Sequence, residues 1–340
     1  MKILITGGAG YIGSHTIIDI LENTNWDVIS IDNYSTSTET TYQRIEKITG
    51  KTIMFYNVDL KDIDATKKVF EENKDIKGII HFAAHKWVGD SVENPLKYYN
   101  NNLIGLTNIL TLQKEFNIKS LIFSSSCSVY GNIDTLPVTE KTQLNKAESP
   151  YAYTKQVGER IIEDFIYANN QLKAISLRYF NPVGAHISGL NGEIQPIPNN
   201  LIPFVTQTAI GKIKQLNVFG NNYNTKDGTC VRDYIHVSDI ASAHVAALKT
   251  LFENANFPNY DVINLGSGNG VSVLEIINAF EQQNNIKLNY KFGPRRQGDV
   301  ESIYSDSSKA LKVLGWKTNY NINDMVKSAW LWEQNLNKEK

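Results

Sequence analysis

Two cysteines in 340 residues, Cys127 and Cys230, are too few for a disulfide framework or a zinc cage, and they point to a reducing compartment. No apolar run approaches the ~18 residues that a membrane-spanning helix requires. An excess of either charge is missing as well. Lys plus Arg is 34 and Asp plus Glu is 35, for a net charge of -1. That balance excludes a nucleic-acid binder working by bulk electrostatics, while leaving room for a local anion site. The opening MKILITGGAG lacks the basic-then-apolar pattern of a secretory signal. The expectation is therefore a cytoplasmic protein with no membrane partner, no nucleic-acid partner and no metal centre. His81 and His85 stand four apart like a helical metal pair, but they flank a strand end with no Glu between them.

What is present is material for a core: 41% of the residues are hydrophobic. The first half alternates strand-like and helix-like patterns. Short apolar runs at residues 3–6, 28–31, 52–57, 78–82, 121–124 and 174–178 read as strands, and the stretch 11–23 reads as a helix. The runs are continuously apolar rather than alternating, as expected of strands buried on both faces of a parallel sheet. The fold class is α/β: a doubly wound parallel sheet (Rossmann type) over residues 1–180, with a smaller C-terminal substrate-binding region over 181–340. Pro182, Pro196, Pro198 and Pro203 mark a loop-rich passage after Asn181. Residues 262–265 read as one more buried strand, so a segment at about 235–266 is expected to rejoin the first sheet. The segment after Asn335 reads as polar and frayed.

Thr6-Gly7-Gly8-Ala9-Gly10-Tyr11-Ile12-Gly13 joins the first strand to the first helix. In this spacing Gly7 permits a tight turn, Gly10 lets the backbone approach a pyrophosphate, and Gly13 lets helix and strand pack closely. The helix N-terminus then faces the phosphates. Asp32 ends the second strand, where a carboxylate can hold both hydroxyls of an adenosine ribose and repel a 2′-phosphate; NAD is thus favoured over NADP. An ordinary glycine-rich turn would need neither the flanking strand and helix nor this acid. A second cluster, Gly266-Ser267-Gly268-Asn269-Gly270, has a different spacing, and Ser272 with Glu275 forms a capping box behind it. It reads as a structural joint.

Tyr151 and Lys155 are four residues apart in a helical stretch entered after Pro150, which puts both side chains on one face. A phenol is a poor base at its reference pKa of about 10. One cation about 5 Å away contributes roughly two pKa units, so a second aid is needed as well, with the positive nicotinamide ring and a hydrogen bond from a nearby hydroxyl as the candidates. Ser124-Ser125-Ser126 ends the fifth strand, at the sheet edge where open α/β folds bind ligands.

With TGGAGYIG, the serine run before Val129-Tyr130-Gly131, and Tyr151-x-x-x-Lys155, the chain resembles the extended short-chain dehydrogenase/reductase family. RYFNPVGAH (178–186), IPNNLIP (197–203), DGTCVRDYIHVSD (227–239) and PRRQGD (294–299) narrow the resemblance to the UDP-glucose 4-epimerases. The resemblance implies a cofactor site, for tightly bound NAD, at Gly7, Gly10, Tyr11, Ile12, Gly13, Asp32, Asn33, Thr36, Ser37, Asp59, Leu60, Phe82, Ala83, Lys86, Asn101, Lys155 and Phe180. It implies chemistry at Ser126, Tyr151 and Lys155, and a UDP-hexose held by Ser126, Tyr151, Asn181, Asn200, Leu201, Asn217, Phe219, Arg232, Arg296 and Asp299. Arg232 and Arg296 suit a diphosphate, since guanidinium binds phosphate oxygens in pairs; surface ion pairs with Asp233 and Asp299 are the alternative.

The implied reaction is 4-epimerisation through a transient 4-keto sugar, serving galactose metabolism or polysaccharide precursor supply, in an enzyme that forms homodimers. Two rivals share features of this pattern. Nucleotide-sugar 4,6-dehydratases and decarboxylases share the fold and the first oxidation, but the stretch resembling the dehydratases' Thr-Asp-Glu is Ser126-Cys127-Ser128 here, without a carboxylate. An NAD-sensing regulator could keep the glycine loop without the chemistry, though it would have no use for Ser126, Tyr151 and Lys155 together. Where enzymes restricted to UDP-glucose and UDP-galactose often carry a tyrosine on the hexose wall, this chain has Ile303. That implies room for the 2-acetamido sugars.

Overall fold

The computed structural model describes residues 1–133, 135–195, 197–296 and 300–339. Its main sheet has seven strands, all parallel. In chain order they are β1 (Lys2–Thr6), β2 (Asp27–Asp32), β3 (Met54–Asn57), β4 (Ile76–His81), β5 (Ser120–Ser124), β6 (Lys173–Tyr179) and, after three strands of the second region, β10 (Tyr260–Leu265). The second region contributes β7 (Asn181–Val183), β8 (Leu216–Phe219), β9 (Val231–His236), β11 (Gly270–Ser272), β12 (Tyr290–Gly293) and β13 (Ser302–Ile303). The main sheet runs β10-β6-β5-β4-β1-β2-β3.

The run KILIT explains how such a sheet is covered. Successive side chains of a strand face opposite sides. Ile3 and Ile5 join a buried cluster with Ile17, Ile240 and Leu248, from the helices Tyr11–Asn23 and Val237–Glu253. Leu4 joins a second cluster with Leu106, Ile109 and Ile162, from the helices Pro95–Glu115 and Pro150–Ala168. Each fully buried aliphatic side chain contributes about 1.5–3 kcal/mol, so an apolar run with no polar face is what this position selects. The strand order reverses between β1 and β4, and the carboxyl ends of those strands open the crevice described below.

Boundaries differ from the sequence reading by a residue or two. The third strand begins at Met54 rather than 52, and the fourth covers Ile76–His81. β10 pairs with β6 at one edge of the main sheet.

The passage after Asn181 holds more structure than its prolines imply. β7 pairs with β9, which also pairs with β11 and β13, while β8 and β12 form a separate parallel pair. Strands of two to four residues with partners far away along the chain leave little periodic trace. Where fraying was expected after Asn335, the last helix continues to Lys338. The helix Ile322–Lys338 starts from a capping box between Asn321 and Asp324, buries Trp332, and places Asn335 Nδ2 3.0 Å from the Gly189 carbonyl.

Candidate active site

The glycine loop turns tightly. Gly7 has φ +73°, its N–H donates to the Ile31 carbonyl at 2.7 Å, and a Cβ there would stand 2.8 Å from the Ala83 nitrogen. A Cβ on Gly13 would meet the Gly7 carbonyl oxygen at 2.3 Å. The helix beginning at Tyr11 has Gly10 as its N-cap, with no side-chain capping bond. Its first N–H groups are thus left for an external acceptor.

Asp32, only 9% exposed, closes β2. Oδ2 accepts from the Ala9 N–H at 3.0 Å, and Oδ1 accepts from the Tyr34 N–H at 2.9 Å and Ser37 Oγ at 2.8 Å. Burial raises its pKa above the usual carboxylate value against the pull of these donors. Asn33 Nδ2 reaches Asp59 Oδ2 at 3.2 Å. Burial pushes the Asp59 carboxyl up, but the bonds from Lys61 and Asn33 outweigh it and hold the group below its ordinary value.

These residues line a cavity of about 560 Å³. Its walls include every residue expected on the cofactor side, from Gly7 through Thr36, Leu60, Phe82 and Asn101 to Phe180, together with Ser126 and Tyr151. The donor set fits a dinucleotide. Uncapped helix N–H groups face an anion, glycines admit close approach, and a buried carboxylate waits at the end of β2.

Tyr151 and Lys155 share a face of the helix Pro150–Ala168, entered through Ser149, whose Oγ accepts from the Ala152 N–H at 3.2 Å. Lys155 Nζ donates to the Ser124 carbonyl at 2.6 Å and lies 4.9 Å from the Phe123 ring centre and 6.0 Å from that of Tyr151. Burial brings its pKa down to about 8, against the attraction of Glu159. Burial also raises the Tyr151 phenol well above its usual value, the neighbouring Tyr179 adds to this, and Ser126 pulls it back. The pair is set up for proton chemistry only when a partner stabilises the phenolate.

A second cavity of about 340 Å³ adjoins the first; Asn181 and Asn200 belong to both. Leu201, Asn217, Phe219, Arg232 and Arg296 line it. The Arg296 guanidinium lies 5.8 Å from the Phe219 ring centre, and Arg232 Nη1 donates to the Val231 carbonyl at 2.8 Å. At the seam, Lys86 Nζ is 2.6 Å from Glu193 Oε1 and 5.7 Å from the Tyr11 ring centre.

Asp233 is no ion-pair partner of Arg232: it is fully buried and accepts bonds from Ser267, Gly268 and Ser305. The second glycine cluster is thus a joint built around this carboxylate, and Ser272 and Glu275 form the expected capping box. Asp299 lies outside the described residues. Ile303 does not line either cavity; pairing of β13 with β9 puts it in an apolar cluster with Val129, Tyr130, Val138 and Phe180. Cys127 lines the first cavity, with its thiol pushed up to about 12 by burial. His81 Nδ1 is engaged with Thr6 Oγ1 at 2.8 Å. Among the described residues, no group of three or more His, Cys, Asp or Glu side chains is arranged to hold a metal ion, and no helix is long and apolar enough to cross a membrane.

Three neighbours of this site carry contacts to which the sequence reading assigned no role. Ser124 supplies the acceptor for Lys155 and bonds Tyr179 Oη at 2.5 Å. Glu193 guards the seam. Glu159 follows Lys155 by four residues, a spacing that was legible and went unused.

A doubly wound parallel sheet, a glycine loop at its switch point, and a serine, tyrosine and lysine on one cavity wall define an extended short-chain dehydrogenase/reductase. Residues 4–329 match the family model described as GDP-mannose 4,6 dehydratase. A UDP-glucose 4-epimerase of Dictyostelium discoideum is 48% identical over 337 residues, 99% of this chain and 96% of that protein. The Bifidobacterium longum UDP-glucose 4-epimerase, solved in complex with NAD+ and UDP, superposes with a TM-score of 0.92 at 45% identity, over 98% of each chain. The Stenotrophomonas maltophila enzyme, solved with bound NAD and formylated UDP-arabinopyranose, superposes at 0.96 with 40% identity, over 100% of each. The chain belongs to the UDP-glucose 4-epimerase family.

Proposed function

We propose that this protein interconverts UDP-glucose and UDP-galactose with NAD held in the first cavity and the UDP portion in the second. The observation that carries the reading is the placement of Tyr151, Lys155 and Ser126 on the wall of the dinucleotide cavity, which shares Asn181 and Asn200 with the arginine-bearing one. In this reading, residues 1–180, rejoined by about 235–266, bind the dinucleotide, and 181–340 bind the UDP-sugar.

Asp32 holds the adenosine ribose, and the N–H groups of the helix Tyr11–Asn23 receive the pyrophosphate. NAD, when bound, supplies the reversible two-electron acceptor that takes sugar carbon 4 through a ketone. Tyr151 Oη takes the proton from the 4-hydroxyl and later returns it. Ser126 Oγ orients that hydroxyl, and the Lys155 ammonium, 6.0 Å from the ring centre, stabilises the phenolate. Arg232 and Arg296 grip the diphosphate, so affinity resides away from the reacting ring and the hexose can turn over. The Ser126-Cys127-Ser128 stretch brings no carboxylate for an elimination, which argues against dehydration. Product analysis with UDP-glucose, UDP-galactose and their N-acetylated counterparts tests the reading; absence of any UDP-galactose from UDP-glucose refutes it.

The working unit in this reading is a cytoplasmic homodimer. Two unpaired cysteines support the compartment. The paired helices Pro95–Glu115 and Pro150–Ala168 support the dimer, because they present Leu96 (71% exposed), Ile104 and Tyr153 to solvent. Sedimentation of the wild type and of Tyr153→Glu tests it: the wild type is expected to sediment as a dimer and the variant as a monomer.

A further inference from the structure

The helix that carries Tyr151 and Lys155 presents a third side chain on the same face, one turn further on. Glu159 is 5% exposed, and it is matched residue for residue by the serine run of β5. Ser126 acts on Tyr151, the Ser124 carbonyl accepts from Lys155, and Ser125 Oγ donates to Glu159 Oε1 at 2.5 Å. From β6, Arg178 grips the same carboxylate with both arms: Nε donates to Oε1 at 2.9 Å and Nη2 to Oε2 at 2.5 Å. Arg178 Nη1 also donates to Tyr130 Oη at 3.0 Å, and Tyr130 donates to Asn264 Oδ1 at 2.6 Å. The carboxylate thus ties the reactive helix to two strands of the main sheet and, through Tyr130, to β10.

We propose that Glu159 is a positioning residue for the proposed epimerisation: it fixes the register of the Tyr151–Lys155 face against the serine run and preserves the positive charge of Lys155.

The second half of this role follows from what surrounds the ammonium. Burial works against its charge, and Glu159 is the anion that works for it. From β4, His81 faces it as a neutral ring, its pKa lowered to about 3 by burial and then by Lys155 itself. From β5 it meets the Phe123 ring and the Ser124 carbonyl, and from its own helix the phenol of Tyr151. Arg178, on β6, has its charge answered by Glu159. Deprotonation of Lys155 removes the cation that stabilises the Tyr151 phenolate, so activity falls on the alkaline side as Lys155 loses its proton. Removing the negative charge of Glu159 makes that loss occur at lower pH.

The test is the pH profile of UDP-galactose to UDP-glucose conversion, with the Lys155 Nζ titration followed in parallel by heteronuclear NMR. In Glu159→Gln the alkaline limb of kcat and the Nζ midpoint both move to lower pH by about one unit. Glu159→Asp keeps the charge and holds both at the wild-type position, even with kcat reduced. Arg178→Gln leaves the Glu159 charge unanswered near Lys155 and moves both to higher pH, which decides the matter if Glu159→Gln does not fold. A profile reduced in height with an unmoved limb and an unmoved midpoint overturns the proposal and leaves Glu159 a packing residue. An inactive wild type would instead refute the epimerase reading, and the Nζ titration would still decide the electrostatic claim.

Discussion

Much of the wall of the dinucleotide cavity is laid down by short consecutive stretches, each at the carboxyl end of one strand of the main sheet: Gly7 to Gly13 after β1, Asp32 to Ser37 after β2, Phe82 to Lys86 after β4, Ser124 to Ser126 after β5. The wall of the neighbouring cavity draws single residues from distant places: Asn181 from β7, Asn200 before a helix, Asn217 and Phe219 from β8, Arg232 from β9, and Arg296 from the chain after β12. A site made of contiguous loops on one rigid sheet is fixed by local geometry. One made of scattered residues depends on the whole second region being folded. Lesions in the two regions should therefore separate cleanly into cofactor effects, UDP effects and chemistry.

The largest effect is expected at the boundary between them. Tyr151→Phe keeps the ring packing and removes the proton-transfer group, so kcat falls about a thousandfold or more while UDP and NAD affinities stay within a few-fold. Titration calorimetry alongside the rate checks both halves, and a variant retaining a tenth of wild-type kcat would refute the assignment.

On the cofactor side, Asp32→Ala removes up to two charge-assisted bonds to the ribose, each worth about 1.5–3 kcal/mol. NAD retention should drop about a hundredfold with UDP affinity unchanged, and discrimination against a 2′-phosphate should relax. The NAD content of the purified protein is the readout; full retention removes Asp32 from the ribose.

On the substrate side, Arg232→Lys keeps the charge but loses the fork. The KM for UDP-glucose should rise about tenfold with NAD content untouched. A loss of NAD in this variant would mean that the two regions are not separable.

The smallest effect on the parent sugars is expected from Ile303→Tyr. Ile303 sits with Phe180 in a filled apolar cluster, so a phenol ring there costs about 1–3 kcal/mol of stability by overpacking and pushes on the hexose wall. Turnover of the 2-acetamido sugars should fall more than that of UDP-glucose. Equal loss for both pairs, or a wild type inactive on the acetamido sugars, removes the specificity role.

The same contrast explains what could be read without coordinates. The main sheet was legible because each strand is buried on both faces and reads as an apolar run, and the glycine loop because its turn, its helix and its acid are neighbours in sequence. The Tyr151–Lys155 face followed from helical spacing alone. What residue types did not reveal is the Ser124 carbonyl that accepts from the Lys155 ammonium, because a backbone acceptor leaves no mark in the sequence. The alternative pairing of Arg232 with Asp233 fails for a similar reason. A charge beside an arginine in sequence alternates to the other face of β9, and its donors come from residues 34 to 72 positions further on. The strands of the second region are too short to carry a period, and their partners lie too far along the chain to be guessed.

That buried Asp233 also sets an order of events as the chain is made. Its carboxylate accepts from the N–H groups of Ser267, Gly268 and Ser305 and from the hydroxyls of Ser267 and Ser305. These five donors replace the water it loses, and two of them belong to Ser305, 72 residues further along the chain. Until Ser305 arrives, the carboxylate lacks that part of its shell and must stay wet, which keeps β9 from closing. All seven strands of the main sheet precede Ser305 in the chain, so closing the sugar half waits on a residue that the main sheet does not need.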